Sequence, residues 1–343
     1  MDISILGLPQ SGKSTFLKSL IKFNDSQELP EICTLKINDD RLKEVGKLLG
    51  HNKLSYPEIS FKEVNILSIK NNKTTEIKEI ESIQNSYGLL LVIRCFENNH
   101  SNQILSDIDE ITTELIFSDT VIIENIIERR KNNTKGKTKQ ELENINAEIQ
   151  LLETLKLHLE QGQPLNSYTL PKTELKKLVG YNLITLKPIF VLLNYDQDRS
   201  IIESNGDITK IKNKYCYPAK LEMELSELSE NESEEFRQSL NIEPRQDYKV
   251  LKSLFKAMGK IIFITAGEQE IKGWEINKGD NSLIAASKIH SDISKGFIRA
   301  EVIEYNTFIE LGSWNNCKKE GKVKGNGKEY IVNDGDIINF LHS

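Results

Sequence analysis

The chain has 343 residues, of which 38% are hydrophobic and 28% are charged, and its formal net charge is −6 at pH 7. This balance is typical of a soluble globular protein, and the length exceeds one typical core, so we expect two or three domains. The acidic charge excludes nucleic-acid binding over the whole surface and confines any such contact to a local basic patch. We find no signal-peptide pattern and no apolar run of the roughly 20 residues that span a bilayer. The four cysteines are widely spaced and are typical of reduced thiols, so we expect a cytoplasmic protein without membrane contact.

The N-terminus carries the pattern of a phosphate-binding loop. Residues 1–7 predict a short buried strand and residues 15–23 a helix, and Gly-Leu-Pro-Gln-Ser-Gly-Lys-Ser at 7–14 fits G-x-x-x-x-G-K-[ST] at every fixed position. In such a loop the backbone N–H groups turn inward and the helix N-terminus adds partial positive charge. Lys13 then reaches the β- and γ-phosphates, and the Ser14 hydroxyl binds Mg²⁺. A glycine-rich turn without a ligand would show the same letters, but the flanking strand and helix favour a bound nucleoside triphosphate.

Two positions after this loop concern the metal ion and hydrolysis. Thr34 is the best-placed threonine in the interval that supplies a second Mg²⁺ ligand in P-loop switch proteins, although a solvent-facing threonine in a loop would look the same. A helix is predicted over 40–49 and a strand over 59–69. Where a P-loop hydrolase ends this strand with D-x-x-G, the sequence has Asn65-Ile-Leu-Ser68. Asparagine brings no charge and serine lacks the backbone freedom of glycine, so we do not expect efficient hydrolysis.

Three later segments complete a predicted sheet, at 88–96, 187–194 and 214–220. The first two are continuous apolar runs, which is typical of central parallel strands covered on both faces. Strands that alternate with helices indicate a parallel α/β sheet, with ligands at the carboxyl ends of the strands. The second of these strands ends at Asn194-Tyr-Asp-Gln197.

A long helical segment interrupts this alternation. Apolar residues recur every three or four positions over 108–159, which predicts an antiparallel helical hairpin. The turn at 129–139 holds six positive charges and no negative charge. In an acidic protein this concentration indicates a tip that faces RNA, but a solvated turn kept soluble by lysines explains the charges equally well.

The C-terminal third differs in composition. An acidic run over 222–235 is most simply a solvated face, and 236–254 predicts a helix. From residue 261 onward short strand-like segments alternate with glycines around one helix at 282–290, which indicates a small separate domain. The predicted strands of this domain are 261–264, 273–276, 297–303, 328–332 and, after a turn at 334–336, 337–341.

Several motifs together resemble a known family. They are Gly-Leu-Pro-Gln-Ser-Gly-Lys-Ser-Thr at 7–15, Cys-Thr at 33–34, Arg-Cys-Phe-Glu at 94–97, Thr-Glu-Leu-Ile at 113–116, Phe-Ile-Thr-Ala-Gly at 263–267, Ile-His-Ser-Asp at 289–292, Lys-Gly-Phe-Ile-Arg-Ala-Glu-Val at 295–302 and Asp-Gly-Asp at 334–336. The chain resembles the YchF subfamily of Obg-like P-loop (TRAFAC-type) ATPases nearly from end to end, and its last motifs resemble a TGS domain. The resemblance implies ATP preference, slow hydrolysis with Mg²⁺ and association with ribosomes.

The resemblance also implies a domain order. An α/β P-loop nucleotide-binding domain with a parallel sheet occupies 1–105 and 166–258. An antiparallel coiled-coil hairpin at 106–165 interrupts it, and a small α+β TGS-like domain follows at 259–343.

The family's site residues map onto single positions of this sequence. The phosphate loop corresponds to Gln10, Ser11, Gly12, Lys13, Ser14 and Thr15, with Lys13 as the catalytic residue; the metal ligands correspond to Ser14 and Thr34; base recognition corresponds to Asn194 and Gln197. The family has Glu where this chain has Gln197. Glutamine offers one acceptor and one donor, which suits adenine, whereas a guanine donor left poorly paired would cost about 1–3 kcal/mol. ATP is therefore expected rather than GTP.

Two functions follow from these observations. The first is an ATP-binding switch that hydrolyses ATP slowly with Mg²⁺ and contacts the ribosome or structured RNA through the hairpin tip and the TGS domain, without binding DNA. The second is a degenerate scaffold that binds nucleotide or RNA with little or no hydrolysis. Lys13 and Ser14 favour nucleotide binding, whereas Asn65 and Ser68 favour the scaffold.

Overall fold

A computed structural model of the protein describes residues 1–21, 29–65, 74–96, 101–196, 202–203, 205–239, 246–267 and 270–343. The strands are β1 (Asp2–Leu6), β2 (Ile32–Lys36), β3 (Leu54–Ser55), β4 (Glu58–Glu63), β5 (Gly88–Arg94), β6 (Ile189–Asn194), β7 (Lys214–Tyr217), β8 (Lys260–Ala266), β9 (Ile271–Asn277), β10 (Phe297–Ile303), β11 (Lys324–Asn326) and β12 (Ile337–His342). The helices are α1 (Lys13–Ile21), α2 (Asp40–Leu49), α3 (Thr74–Asn85), α4 (Ser101–Asn132), α5 (Lys139–Glu160), α6 (Lys172–Leu178), α7 (Gly206–Thr209), α8 (Ala219–Ser226), α9 (Glu230–Ser239), α10 (Gln246–Ala257), α11 (Ser282–Ile289), α12 (Ser291–Lys295), α13 (Tyr305–Leu311) and α14 (Trp314–Lys319). No helix of these described residues is both long enough and apolar enough to cross a bilayer.

The chain divides into two compact units. The first unit contains Met1–Cys33 and Ser60–Gln246, and the second contains Thr34–Ile59 and Asp247–Ser343. The second unit therefore takes a segment from within the N-terminal third of the chain.

The first unit is built on a six-stranded sheet in the order β2-β4-β1-β5-β6-β7. Strand β1 pairs in parallel with β4 and β5, and β6 pairs in parallel with β5 and β7. The central strand β5 is buried from Gly88 to Ile93, as its apolar sequence requires. The predicted parallel α/β sheet is confirmed. Its carboxyl edge carries the ends of β1, β4, β5 and β6, and this edge holds the candidate site.

The predicted helical hairpin is also confirmed. Helices α4 and α5 pack through a buried apolar cluster whose members follow the three-or-four spacing of the sequence: Ile116, Ile123, Ile127, Ile145, Ile149, Leu152, Leu155 and Leu159. Thr138 begins α5 with a capping box, in which it exchanges hydrogen bonds with Glu141. Helix α4 starts at Ser101, seven residues before the predicted start.

Part of the basic charge at the tip of the hairpin is paired within the protein. Arg130 lies 3.1 Å from Glu148 and Lys131 lies 3.0 Å from Glu153. Lys135 and Lys139 are exposed. The acidic partners lie on α5, so the excess of positive charge is concentrated on the residues of the turn.

The second unit has a mixed six-stranded sheet in the order β11-β10-β12-β8-β9-β3. Strand β8 pairs antiparallel with β9 and parallel with β12, and β10 pairs antiparallel with β11 and β12. Strand β3 extends this sheet by parallel pairing with β9, with Leu54 opposite Ile271. Helix α2 precedes β3 and is capped by the Asp39 side chain, which accepts from the Arg41 N–H.

Four expectations about the second half of the chain were wrong. Residues 328–332 form no strand; Tyr330 N–H donates instead to Gly327 O in a turn, and β11 at Lys324–Asn326 pairs with β10. The strand predicted at 214–220 ends at Tyr217, because helix α8 begins directly after Pro218. Between residues 261 and 343 the structure has α12, α13 and α14 besides α11, the one helix predicted there.

The fourth wrong expectation concerns the acidic run over 222–235, which is not exposed to solvent along its whole length. The side chain of Glu222 is buried and forms an ion pair of 2.7 Å with Arg237. The described residues of the helix predicted over 236–254, which are 236–239 and 246–254, lie in α9 and α10. The buried Glu222 carboxylate needs Arg237 as its partner, since an unpaired charge is costly away from water.

Candidate functional site

The phosphate loop, residues 7–14, joins β1 to α1 with an unusual backbone. Gln10 and Gly12 have positive φ angles of 62° and 93°, which turn the chain tightly between the strand and the helix. The Ser11 N–H donates to Leu8 O at 3.2 Å, and the Phe16 N–H donates to Gly12 O at 2.8 Å. Helix α1 begins at Lys13. The first N–H groups of a helix lack partners within the helix, so they suit an anionic ligand.

Both glycines of the loop pattern are required by packing. A Cβ atom on Gly7 would lie 2.5 Å from Val92 O and 2.6 Å from Ser11 Oγ. A Cβ atom on Gly12 would overlap the Asn194 side-chain nitrogen. The pattern read from the sequence thus describes a loop that lies directly against the ends of β5 and β6.

Asn194, at the end of β6, holds this loop in place. Its side chain is buried; the amide Nδ2 donates to Ser11 O at 3.0 Å, and Oδ1 accepts from the Ala219 N–H at 3.1 Å. Both ends of the amide are used within the protein, so Asn194 acts here as a brace between the loop and the start of α8. Gln197, the other residue expected to recognise the base, lies outside the described residues.

Lys13 lies across its own loop. Its ammonium donates to the carbonyls of Gly7 at 3.0 Å and Leu8 at 3.2 Å, and it lies 3.9 Å from Glu63 Oε1. Burial lowers the pKa of Lys13, and the Glu63 carboxylate acts in the opposite direction. The lysine is thus held in the loop by carbonyl groups.

Glu63 is a site residue that sequence reasoning missed. The Ser14 hydroxyl donates to Glu63 Oε2 at 2.9 Å. Parallel pairing of β1 with β4 sets Glu63 opposite Ile5, two residues before the loop. The alternation of β4 could have revealed it: Ile59 and Phe61 are buried, and position 63 lies on the same face at the carboxyl edge.

The remaining predicted site residues are more exposed. Gln10 and Ser14 face solvent, and Thr15 is half-buried. Thr34 is exposed and lies within strand β2 rather than in a loop. Asn65 follows β4 and is exposed, and Ser68 lies outside the described residues.

Other polar residues of the second unit have structural roles. His290 caps α12, where its Nδ1 accepts from the Asp292 N–H at 3.2 Å. Asp334 accepts from the Ile262 N–H, and Asp336 accepts from the Asn333 N–H and the Tyr330 hydroxyl. These hydrogen bonds give the two carboxylates a structural role in the turn rather than a catalytic one.

Known proteins resemble the chain over almost all of its length. The ribosome-binding ATPase YchF of Buchnera aphidicola (from Acyrthosiphon pisum) is 32% identical over 358 residues, which cover 98% of each protein. The chain belongs to the YchF family. The ribosome-binding ATPase YchF of Bacillus subtilis is 28% identical and is covered to 98% of its length. The family model YchF-GTPase_C, described as "Protein of unknown function (DUF933)", matches residues 261–343.

A solved YchF structure supports the fold. The Schizosaccharomyces pombe YchF GTPase superposes with a TM-score of 0.81, covering 99% of this chain and 97% of its own, at 23% sequence identity. At this identity the similarity establishes the fold. The predicted family and its α/β fold are therefore confirmed.

The oxygen groups of this YchF-family site fit a magnesium ion. Mg²⁺ prefers hard oxygen ligands and usually takes one or two from the protein, with nucleotide phosphates and water completing its shell. The Ser14 hydroxyl and the Glu63 carboxylate supply such oxygens at 2.9 Å from each other. The described residues hold no group of three or more His, Cys, Asp or Glu side chains that could bind a metal ion.

Proposed function

We propose that this YchF-family protein binds ATP with Mg²⁺ at the phosphate loop, hydrolyses it slowly and associates with ribosomes in the cytoplasm. The observation that carries the proposal is the position of Lys13 and Ser14 at the start of α1, beneath a loop whose shape depends on Gly12 and Asn194. The names of the relatives, ribosome-binding ATPases, agree with it.

The loop supplies charge and backbone donors to the triphosphate. Lys13 would exchange its bonds to the Gly7 and Leu8 carbonyls for the β- and γ-phosphate oxygens. Ser14 and Thr34 would hold Mg²⁺, with Gln10, Ser11, Gly12 and Thr15 lining the phosphates. Bound Mg²⁺ would neutralise charge that develops on the phosphates.

Adenine is proposed as the base. Asn194 is committed to Ser11 and Ala219, so discrimination between purines falls to Gln197. A glutamine pairs poorly with the two donors of guanine. Competition by GTP as strong as competition by ATP would contradict this part of the proposal.

A nucleotide-binding scaffold with little or no turnover is the second candidate. Asn65 occupies the position of the D-x-x-G aspartate and is exposed. An amide there cannot supply the negative charge that a hydrolase directs at the metal ion. The scaffold would keep ATP binding and lose phosphate release.

A pair of measurements separates these candidates. ATP binding is measured by calorimetry with Mg²⁺, and phosphate release is measured under the same conditions, with Lys13→Ala as the control. Binding with release above the Lys13→Ala level supports the switch. Binding without such release supports the scaffold. Absence of ATP binding by both the wild-type protein and Lys13→Ala would reject the switch and the nucleotide-binding scaffold alike.

The hairpin tip is the proposed ribosome contact, together with the TGS-like region. Lys131 already forms an ion pair with Glu153, so the other positive charges of the turn should contribute most to ribosome binding. Neutralising Lys131, Lys135, Lys137 and Lys139 together should weaken co-sedimentation with ribosomes and reduce its salt dependence. A variant that neutralises Lys176, Lys177, Lys210 and Lys212 removes the same charge elsewhere and should bind normally. Equal loss in both variants, or none in the first, would contradict a contact through the tip.

A further inference from the structure

Glu63 places a negative charge beside the two side chains expected to bind phosphate and metal. Its carboxylate lies 2.9 Å from Ser14 Oγ and 3.9 Å from Lys13 Nζ, and its side chain is 37% exposed. All three residues belong to the first unit, where the β1–β4 register fixes their spacing. An acidic residue at this point opposes binding of a triphosphate unless something reverses its effect.

We propose that Glu63 supplies the carboxylate of the Mg²⁺ site beside Ser14, in place of the aspartate absent at position 65, and thereby makes nucleotide binding depend on the metal ion. The inference rests on the proposed binding of ATP at the phosphate loop. Glu63 is the last residue of β4 and lies on the same face of the strand as Phe61. A carboxylate two residues before position 65 therefore lies at the same carboxyl edge of the sheet.

The distances favour this role over a simple ion pair with Lys13. The closer partner of the carboxylate is the Ser14 hydroxyl, the group that binds Mg²⁺ in phosphate loops. Lys13 already donates to two carbonyl groups, and its distance from Glu63 is at the outer limit of an ion pair. Glu63 is thus directed at the metal-binding position.

The charge of Glu63 should therefore act in opposite directions with and without metal. Without metal, the carboxylate repels the phosphates and competes for Ser14 and Lys13. With Mg²⁺ bound, the same carboxylate would help to hold the cation, so its charge would favour binding of the nucleotide. Removing it should weaken binding of Mg–ATP while leaving binding of metal-free ATP unchanged or tighter.

The test uses the full chain and two matched variants, Glu63→Gln and Glu31→Gln. Glu31 is an exposed glutamate of the first unit that pairs with Lys62 at 2.8 Å, so both changes remove one negative charge. ATP affinity is measured by calorimetry with Mg²⁺ and with EDTA. The ratio of the two affinities should fall by about 10- to 100-fold in Glu63→Gln, the range found when groups supporting a metal site are removed. Glu31→Gln should keep the wild-type ratio.

A second measurement observes the metal directly. Mn²⁺ bound in the presence of ADP is followed by electron paramagnetic resonance, and Glu63→Gln should bind it about tenfold or more weakly. Circular dichroism verifies that the variant is folded.

Each outcome bears on the inference. A fall in the affinity ratio together with weaker Mn²⁺ binding supports it. Equal tightening of ATP with and without Mg²⁺ would identify Glu63 as a counter-ion of Lys13 and overturn it. Wild-type binding with an unchanged ratio in Glu63→Gln would overturn it while leaving the proposed function intact. Absence of ATP binding by the wild-type protein would reject the proposed function, and the inference with it.

Discussion

The side-chain amide of Asn194 donates a 3.0 Å hydrogen bond to the backbone carbonyl of Ser11. On its other side the same amide accepts a bond from the Ala219 N–H. One buried side chain therefore connects the end of β6, the phosphate loop and the start of α8. The shape of the loop depends on this connection, because the Asn194 nitrogen occupies the space that a Cβ atom on Gly12 would need.

The two halves of this brace can be separated with Asn194→Asp. Aspartate keeps the acceptor that faces Ala219 but sets a second oxygen against Ser11 O, where two acceptors repel each other. An unsatisfied buried group costs about 1–3 kcal/mol, so ATP affinity should fall by about 5- to 150-fold if the loop opens by that free energy. Calorimetry of ATP binding measures the change. Asn194→Ala loses both bonds and serves as the comparison; wild-type affinity in Asn194→Asp would show that the brace does not shape the loop.

Gly12→Ala tests the same contact from the loop side. Alanine at Gly12 meets both a positive φ angle and the Asn194 side chain, whereas alanine at Gly162, where φ is 74°, meets open space. Gly162→Ala should lose only the backbone term of about 1–2 kcal/mol in unfolding free energy. Gly12→Ala should lose more than that and should also abolish ATP binding. Urea unfolding and calorimetry measure the two effects, and equal stability losses would contradict the proposed overlap.

Local patterns predicted much of the first unit because its determinants are close in sequence. The phosphate loop follows from glycine spacing, and the hairpin follows from apolar residues at three-or-four intervals. Strand β1 and the buried strands β5 and β6 were found from their apolar runs. The D-x-x-G pattern does not include Glu63, whose place in the site follows only from the alternation of β4 and its pairing with β1.

Long-range pairing explains the other omissions. Arg41 and Asp334 are 293 positions apart, and no local periodicity shows that the segment around α2 belongs to the second unit. The edge strand β3 has only two residues, too few for a pattern. The expected strand at 328–332 has suitable residues, but β11 occupies the place beside β10.

A buried carboxylate outside the candidate site fixes the base of the hairpin. Asp119 on α4 is fully buried and accepts three hydrogen bonds of 2.6–2.7 Å, from the Ile184 N–H and from the N–H and hydroxyl of Thr185. Asp119→Ala would leave these donors without an acceptor and create a cavity. Each unsatisfied buried donor costs about 1–3 kcal/mol, so the expected loss is about 3 kcal/mol or more of unfolding free energy.

Urea unfolding followed by circular dichroism measures this loss. The control is Asp109→Ala, which removes an exposed carboxylate from the same helix and should change stability by less than about 0.5 kcal/mol. Comparable effects of the two substitutions would show that the three hydrogen bonds add nothing to stability.

Arg41 should contribute more to the stability of the second unit than Asp334, the partner most distant from it in sequence. Its guanidinium lies 2.6 Å from Asp39 and 3.0 Å from Asp334, whose side chains are 5% and 54% exposed. Arg41→Ala would leave the buried Asp39 carboxylate without its cationic partner and would free α2. The expected loss is about 3 kcal/mol in unfolding free energy. Asp334→Ala removes an exposed partner and should cost about 1 kcal/mol.

A double-mutant cycle in urea, with hydrogen exchange at Ile262 and Ile264 to locate the effect, measures the coupling between Arg41 and Asp334. Arg41→Lys is the conservative control: lysine keeps the charge but cannot contact both carboxylates with a planar fork, so it should recover only part of the loss. Additive single losses would mean that the two residues do not interact. Full recovery by lysine would show that charge alone holds α2 against the sheet of the second unit.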